Sequence, residues 1–243
     1  MTADRLIAIS RRLSDAVDAL SFGPPVHTTY NPLAYARAPH EAFIRRYGDG
    51  HKRFVWLGMN PGPFGMGQTG VPFGDVVAVR DWLGIQAPVE QPAQQHPKRP
   101  IVGFDLTRRE GSGKRLWGWA EERFRTPDAF FADTWVHNYC PLFFTHETGR
   151  NIIPEKLARD ERDAVLGPCD AALREVVEAV GAEVVVGVGA FAAKRAAQVL
   201  EGTEVQIAQI LHPSPASPLA NAGWAEQVEP VLRGLGYGEG WRA

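Results

Sequence analysis

Four short apolar runs, separated by helical patterns, constrain the fold of this chain more than any other feature. The runs cover residues 53–57, 134–137, 183–188 and 206–211. Each has the length and composition of a buried strand. The spacing of apolar residues predicts a helix over 166–180, ended by Gly181, and an alanine-rich helix over 191–200. Alternating strands and helices predict an α/β fold, a three-layer αβα sandwich around a short, mainly parallel four-stranded sheet.

The opening segment has the pattern of an amphipathic helix. Apolar residues recur at helical spacing from Leu6 to Leu20, which predicts a helix within residues 1–23 that packs on the core. Acidic residues and arginines interrupt this segment, unlike the apolar core of a secretory signal. No stretch approaches the roughly 20 apolar residues of a membrane-spanning helix. We therefore expect a soluble, intracellular protein without a membrane partner.

Nothing along the chain marks a domain boundary. The segment between the opening helix and the first run, rich in Pro, Tyr and His, predicts a loop, and residues 86–100 predict a long surface loop. Residues 224–235 predict a closing helix, which Pro230 should kink or restart. Because no repeat or low-complexity linker separates the strands, we expect residues 1–243 to form a single domain.

Charge gives no global sign of a polyanionic partner. Lys and Arg total 26 against 28 acidic residues, for a formal net charge of -2. Positive charge is instead local, in Lys98, Arg99, Arg108, Arg109, Lys114 and Arg115. The glycine-containing stretch 111–115 is expected to form a small wedge beside a phosphate, with an ordinary solvated loop as the alternative.

Metal and cofactor patterns are missing from the sequence. Cys140 and Cys169 lack the spacing of a zinc, iron–sulfur or CxxC redox site and are expected to be buried free thiols. His146 and Glu147 do not form the His-Glu-x-x-His helix of a zinc hydrolase. We expect neither a metal nor a cofactor.

Polar side chains follow three of the four predicted strands. Asn60 follows the first run, Asn138 the second and His212 the fourth. Because ligands of open parallel sheets bind outside the carboxyl ends of the strands, two amides and one imidazole should converge there. A histidine at a strand end is often structural, but prolines at 213 and 215 favour a fixed direction for the imidazole.

Residues 58–74 read GMNPGPFGMGQTGVPFG and contain six glycines, three prolines and no lysine. Glycines allow the backbone to approach a ligand closely, so this segment is suited to cradle a flat polar ring, although an ordinary connection is the alternative. It contains neither a dinucleotide-binding fingerprint nor a P-loop, and the chain has no Gly-x-Ser-x-Gly elbow of a serine hydrolase.

These segments resemble a known family. Residues 58–74 closely resemble the first motif of the single-strand-selective monofunctional uracil-DNA glycosylases. The second motif is recognisable in residues 212–215 (HPSP) with Asn221, Gly223 and Trp224 downstream, and residues 136–142 and 149–151 also match. The resemblance implies the uracil-DNA glycosylase fold and hydrolysis of the N-glycosidic bond of uracil and related bases in single- and double-stranded DNA. The related bases include 5-substituted uracils and deaminated purines, and the activity would initiate base excision repair without strand cleavage.

The resemblance also assigns roles to residues. Asn60 is expected to position the attacking water and His212 to stabilise the departing base. The base-binding residues implied are Gly62, Met66, Phe73 and Asn138. Phe73 would stack on the base and Asn138 would read the edge of the base. Backbone groups around Gly62 and Met66 would line its 5-position.

DNA contacts are implied as well. Seven residues are expected to contact DNA: Gly113, Lys114, Arg115, Ser214, Pro215, Ala216 and Ser217. In the family the loop after the HPSP motif enters the duplex, but Ala216 stands where an arginine is usual, so we expect a weaker wedge. We expect a monomer, associated with the nucleoid in a bacterium or the nucleus in a eukaryote. A nucleobase-binding module that does not catalyse and a glycosylase preferring deaminated purines are the alternatives.

Overall fold

All four predicted strands are present in the computed structural model, which describes residues 1–238. In chain order the strands are β1 (Thr28–Tyr30), β2 (Phe54–Gly58), β3 (Thr134–Asn138), β4 (Phe143–Thr145), β5 (Asn151–Ile152), β6 (Val184–Val188) and β7 (Gln206–Ile210). The helices are α1 (Thr2–Asp18), α2 (Pro32–Tyr35), α3 (Arg37–Tyr47), α4 (Met66–Thr69), α5 (Gly111–Phe124), α6 (Pro127–Phe131), α7 (Arg159–Val180), α8 (Ala190–Val199) and α9 (Pro218–Gly234).

The main sheet is parallel throughout, in the order β3-β2-β6-β7. Every residue of the central strands β2 and β6 is buried, as expected for strands covered on both faces. In the register of the sheet, Gly58 at the end of β2 pairs with Asn138 at the end of β3. The predicted fold class is confirmed, and the register brings the two strand ends together.

Helices cover this sheet and one another. The opening helix α1 ends at Asp18 and packs on α7 and α3, while α8 packs on β6 and β7. Gly181 ends α7 in the left-handed conformation (φ 71°), as predicted for its C-terminal stop. Within residues 1–238, no helix is both long and apolar enough to cross a bilayer. That residues 1–243 form one domain stays a prediction, and residues 239–243 lie outside the described residues.

The segment before β2 was predicted to be a loop, and this prediction is wrong. It contains β1, α2 and α3. Asn31 caps α2 by accepting a hydrogen bond from the backbone of Leu33, and α3 buries Phe43, Ile44 and Tyr47. β1 joins β4 and β5 in a second, antiparallel sheet.

Two further expectations need correction. Residues 111–115 begin helix α5 instead of forming a loop, because the Glu110 side chain accepts hydrogen bonds from the backbone N–H groups of Ser112 and Gly113. The closing helix α9 starts earlier than predicted, and its non-helical residue is Gly223 (φ 141°), whereas Pro230 lies inside the helix. Residues 86–100 lack regular structure, as expected, although His96 within them is buried.

Candidate active site

A cleft opens where β2, β3 and β7 end. It encloses about 630 Å³, including its open mouth, and we call it the strand-end cleft. Six of its lining residues are those that the sequence predicted for catalysis and base binding: Asn60, Gly62, Met66, Phe73, Asn138 and His212. The structure thus brings the two amides and the imidazole to one cavity.

Two loops supply most of this lining. The Asn60 loop comprises residues 58–74, after β2, and the His212 loop comprises residues 211–217, after β7. Asn138 comes from β3 itself, as its last residue. Because the three strands are parallel, all three segments reach the cleft from the same edge of the sheet.

The amide of Asn60 has a fixed orientation. Its Nδ2 donates to the carbonyl oxygen of Leu142 at 3.1 Å and lies 3.5 Å from that of Pro61. Since both partners are acceptors, the nitrogen must face them and the oxygen must face away. Among the hydrogen bonds within residues 1–238, none involves Asn60 Oδ1. The half-buried side chain therefore offers a hydrogen-bond acceptor at the cleft.

His212 is held in one tautomer. Its Nδ1 lies 3.1 Å from the backbone nitrogen of Ser214, which donates to it. A neutral imidazole that accepts at Nδ1 carries its proton on Nε2. Burial lowers the pKa of His212 below its ordinary value of 6.5, so this neutral form dominates at pH 7. The ring therefore offers an N–H donor to a ligand in the cleft.

Side chains outside the His212 loop fix its path. The loop carbonyls that accept hydrogen bonds from them are those of Leu211, Pro213 and Pro215. The donors are Trp224 Nε1 (2.7 Å), Arg115 Nη1 (3.0 Å) and Asn221 Nδ2 (2.8 Å), respectively. Arg115 also donates to Asn221 Oδ1 at 2.9 Å, which links two of the three donors. The loop is therefore anchored along its length.

Phe73 occupies an unusual backbone conformation. Its φ of 52° is in the left-handed region, which costs a bulky residue about 1–3 kcal/mol. Its carbonyl accepts hydrogen bonds from Trp117 Nε1 at 2.9 Å and from the backbone of Asp75 at 2.8 Å. These contacts hold the ring in the cleft, where its centroid lies 6.3 Å from that of His212.

Gly58 allows Asn138 and Phe73 to meet. A Cβ atom at position 58 would lie 2.2 Å from Asn138 Oδ1 and 3.0 Å from the Phe73 ring, so no larger residue fits. The buried Asn138 amide donates from Nδ2 to the sulfur of Met66 at 3.1 Å. Because a thioether is a weak acceptor, this bond exchanges readily for one to a ligand.

Sequence reasoning missed some lining residues. Glu110 and Ser112 at the start of α5 line the cleft, as do Asn151 and Ile153. An acidic residue before a Gly-Ser-Gly segment is a helix N-cap pattern, and this signal would have located the start of α5.

The predicted DNA-contact residues fall into different settings. Gly113 is buried, and a Cβ there would lie 1.9 Å from the Phe73 carbonyl oxygen; its contact with DNA stays a prediction. The Arg115 guanidinium donates to the Pro213 carbonyl and to Asn221 Oδ1, and its contact with DNA stays a prediction. Lys114 and Ala216 are exposed, and their contact with DNA stays a prediction. The same applies to Ser214, Pro215 and Ser217.

Other cations of the basic stretch are also engaged. Arg109 pairs with the fully buried Asp75, and the guanidinium of Arg108 lies 3.8 Å from the ring centroid of Phe64. Cys140 and Cys169 are buried free thiols, as predicted. Across residues 1–238, His, Cys, Asp and Glu side chains do not assemble in groups of three or more that are suited to a metal ion.

Comparison with known proteins decides the family. The model of the uracil DNA glycosylase superfamily matches residues 45–229. The chain belongs to this superfamily. The match includes the Asn60 loop, Asn138 and the His212 loop. Every residue that lines the strand-end cleft therefore lies within the superfamily region.

Curated relatives extend the likeness over most of the chain. The single-strand selective monofunctional uracil DNA glycosylase of Bos taurus is 48% identical over 227 residues, which are 93% of this chain and 84% of that protein. The protein of the same description from Mus musculus is 47% identical over 93% of this chain and 81% of its own length. The family resemblance seen in the motifs is confirmed.

A solved structure shares the superfamily fold. The crystal structure of wild-type Pedobacter heparinus SMUG2 aligns with a TM-score of 0.69 over 97% of each chain. Its sequence is only 21% identical, so this likeness concerns the fold alone.

Proposed function

We propose that this protein is a monofunctional DNA glycosylase that hydrolyses the N-glycosidic bond of uracil and related damaged bases and so initiates base excision repair. One observation carries the proposal: an oriented amide, Asn60, and a neutral, Nε2-protonated imidazole, His212, line the same cleft. The names of the curated relatives support it.

Base recognition is assigned to Phe73 and Asn138. An enzyme that acts on a base in DNA must take the base out of the stack and hold it by stacking and edge hydrogen bonds. The Phe73 ring supplies the stacking surface. The Asn138 amide presents an acceptor for N3–H and a donor for O4 of uracil, whereas cytosine has the opposite pattern at this edge.

His212 acts on the leaving group. When the bond between the sugar C1′ and the base N1 breaks, its electron pair leaves with the base, and negative charge develops on the uracil O2. The Nε2–H of His212 donates a hydrogen bond to that oxygen. A preorganised donor of this kind is typically worth about 3 to 4 kcal/mol in the transition state.

Asn60 acts on water. Its Oδ1 accepts a hydrogen bond from a water and directs that water to C1′, and the water's proton passes to solvent. An amide does not take up a proton near pH 7, so Asn60 is not a general base. Bond breaking therefore runs ahead of water attack. Since no lysine lines the strand-end cleft among the described residues, the mechanism has no Schiff base and no strand-cleavage step.

The substrates in this proposal are single- and double-stranded DNA containing uracil, 5-substituted uracils or deaminated purines. The enzyme acts as a monomer without metal or cofactor. It works in the cytoplasm on the nucleoid in a bacterium, or in the nucleus in a eukaryote.

The direct test is base release from defined oligonucleotides. Single- and double-stranded DNA carrying one uracil is incubated with the protein and then treated with alkali, which cleaves the strand at an abasic site. We expect cleavage only after alkali, and none with the Asn60→Ala, His212→Ala double variant. Absence of alkali-labile sites with uracil, hydroxymethyluracil and hypoxanthine substrates would support a binding module instead, and release of hypoxanthine alone would support a purine-directed glycosylase.

A further inference from the structure

One carboxylate lines the strand-end cleft. Within residues 1–238, the ionisable side chains that line this cleft are those of Glu110 and His212. Glu110 is half-buried and directly precedes α5. In the proposed function Asn60 acts on water and His212 acts on the base, which leaves this acidic group without a role in the chemistry.

Capping of α5 does not by itself explain a glutamate at this position. Glu110 Oε1 accepts a hydrogen bond from the backbone N–H of Ser112 at 2.9 Å, and Oε2 accepts one from that of Gly113. The preferred N-cap residues are serine, threonine, aspartate and asparagine, which have shorter side chains. The longer Glu110 side chain extends to the Asn60 loop, where a Cβ atom at Gly65 would lie 3.0 Å from Glu110 Cγ and 3.6 Å from Oε2. The carboxylate therefore lies between the start of α5 and the Asn60 loop.

No neighbouring cation neutralises this carboxylate. Among the ion pairs within residues 1–238, none involves Glu110, whose oxygens are bonded to backbone N–H groups. The adjacent Arg109 pairs with Asp75, and Arg115 donates to the His212 loop. The N-terminus of a helix favours a negative charge at this position. The cleft therefore contains a negative charge that a cationic ligand can meet.

The burial of the lining residues indicates which part of a nucleotide Glu110 faces. Phe73 and Asn138, which are assigned to the base, are buried, whereas Asn60, Glu110 and His212 are half-buried. A base held in the deep part of the cleft leaves its sugar in the outer part, because the sugar joins the base to the strand outside. The Glu110 carboxylate is therefore at the level of the sugar.

The reaction makes this sugar cationic. When the bond between C1′ and the base N1 breaks, its electron pair leaves with the base, and the sugar becomes oxocarbenium-like. We propose that the Glu110 carboxylate stabilises this positive charge, while His212 stabilises the negative charge on the base. The inference rests on the proposed function. Glu110 forms no bond to C1′ and takes up no proton, since water supplies the new oxygen and loses its proton to solvent.

This role separates turnover from binding. The cation exists only as the bond breaks, so its attraction to Glu110 lowers the barrier without strengthening the binding of intact DNA. The phosphates of intact DNA are instead repelled by a carboxylate. Removal of the charge should therefore lower kcat and leave DNA binding unchanged or tighter.

The first test compares kcat with affinity. Glu110→Gln keeps the length of the side chain and removes its charge. We expect kcat on single-stranded uracil DNA to fall about 10- to 100-fold, while the Kd for the same strand with a neutral tetrahydrofuran abasic analogue does not rise more than about twofold. Glu121→Gln, which removes an exposed acidic group from the same helix, is the matched control and should change neither quantity. A wild-type kcat in Glu110→Gln would overturn the inference.

A pair of variants separates charge from helix capping. Glu110→Asp and Glu110→Asn introduce side chains of equal size that are both preferred N-caps, so α5 should begin equally well in each. Equal melting temperatures check this expectation. The kcat of Glu110→Asp should exceed that of Glu110→Asn at least about fivefold, because only aspartate keeps the charge. Equal kcat values would assign Glu110 to capping alone.

A cationic probe measures the interaction directly. The probe is a single strand with one pyrrolidine abasic analogue, whose ring nitrogen is positively charged at neutral pH, and the tetrahydrofuran strand is its neutral counterpart. The wild type should bind the pyrrolidine strand more tightly, and this preference should fall about tenfold in Glu110→Gln. Arg115→Ala, which affects the position of the His212 loop, should keep the wild-type preference.

The outcomes distinguish this inference from the proposed function. An unchanged preference for the pyrrolidine strand in Glu110→Gln would reject the role of Glu110, even if kcat were lowered. If the wild type released no base from any substrate, the proposed function itself would fail.

Discussion

The two loops that meet at the strand-end cleft are stabilised in different ways. The His212 loop has its carbonyls bonded by side chains of α5 and α9. The Asn60 loop depends on close backbone packing at glycines. Position 67, for example, has no room for a Cβ atom, which would lie 2.8 Å from the Gly62 carbonyl oxygen. Distant side chains also bond the Asn60 loop, as Trp117 does at the Phe73 carbonyl, but its distinguishing feature is this close packing at glycines.

This difference suits the two tasks. A hydrogen-bond donor that acts on developing charge must be accurately placed, and the bonds from Ser214 and Arg115 place the His212 loop. A flat base needs a close, smooth wall, which glycines provide because they lack side chains. Loss of a side chain should therefore be most damaging at the His212 loop, and gain of a methyl group at the Asn60 loop.

The largest expected effect is the loss of the imidazole. His212→Ala should lower kcat about a hundredfold to a thousandfold, because it removes the donor to the departing base. Asn60→Ala should lower kcat by no more than this, since water attack follows bond breaking. Single-turnover rates of both variants on single-stranded uracil DNA measure the difference. A near-wild-type rate for His212→Ala would reject the leaving-group role.

The second largest effect is expected from a methyl group added at a close-packed glycine beside the cleft. Gly58→Ala places an atom 2.2 Å from Asn138 Oδ1, so the amide must move and its two hydrogen bonds to the base weaken. We expect kcat/KM to fall roughly 10- to 100-fold. Gly118→Ala, at a helix position with nothing within 4 Å of the new methyl, is the matched control and should not reduce activity. Full activity of Gly58→Ala would contradict the requirement for close packing of Gly58 against Asn138 and Phe73.

A smaller effect is expected at the anchor of the His212 loop. Arg115→Ala removes the donor to the Pro213 carbonyl, so the imidazole is less well positioned and kcat should fall about tenfold at every salt concentration. Lys114→Ala alters the exposed neighbour and should instead reduce the salt dependence of DNA binding, with little change in kcat. Rates and binding measured at several salt concentrations distinguish the two, and identical profiles would refute the anchoring role of Arg115.

The smallest expected effect concerns pH. Burial lowers the pKa of His212 from 6.5, so the active neutral ring persists as the pH falls from 8 to 6.5 and is lost only below the lowered pKa. Protonation also ends the ability of Nδ1 to accept the Ser214 N–H. We expect kcat to change less than about twofold between pH 8 and 6.5 and to decline in more acidic buffer. In His212→Ala this decline should be absent, and a wild-type decline that begins above pH 6.5 would argue against the assignment.

Sequence patterns were informative where the structure is regular and local. Apolar runs located the four strands, and parallel topology then required Asn60, Asn138 and His212 to share one edge of the sheet. The second sheet escaped prediction because strands as short as β5, with two residues, are too brief for a periodic pattern.

Long-range partners were equally inaccessible. Arg115 and Pro213 are 98 residues apart, and no spacing in the chain indicates that they meet. The burial of Gly113 follows from its approach to the Phe73 carbonyl, which depends on the left-handed φ of Phe73. A basic, glycine-containing stretch therefore suggested a DNA-contacting loop, although in the structure it begins a helix that supports the site.

Because Gly58 pairs with Asn138, recognition of the base by the Asn138 amide depends on the alignment of β3 with β2. If β3 slipped by one residue along β2, its side chains would exchange faces, and the amide would point away from the base. A misaligned sheet would therefore lose discrimination even with every side chain intact. Correct pairing of β2 with β3 is therefore a condition for selecting the correct base.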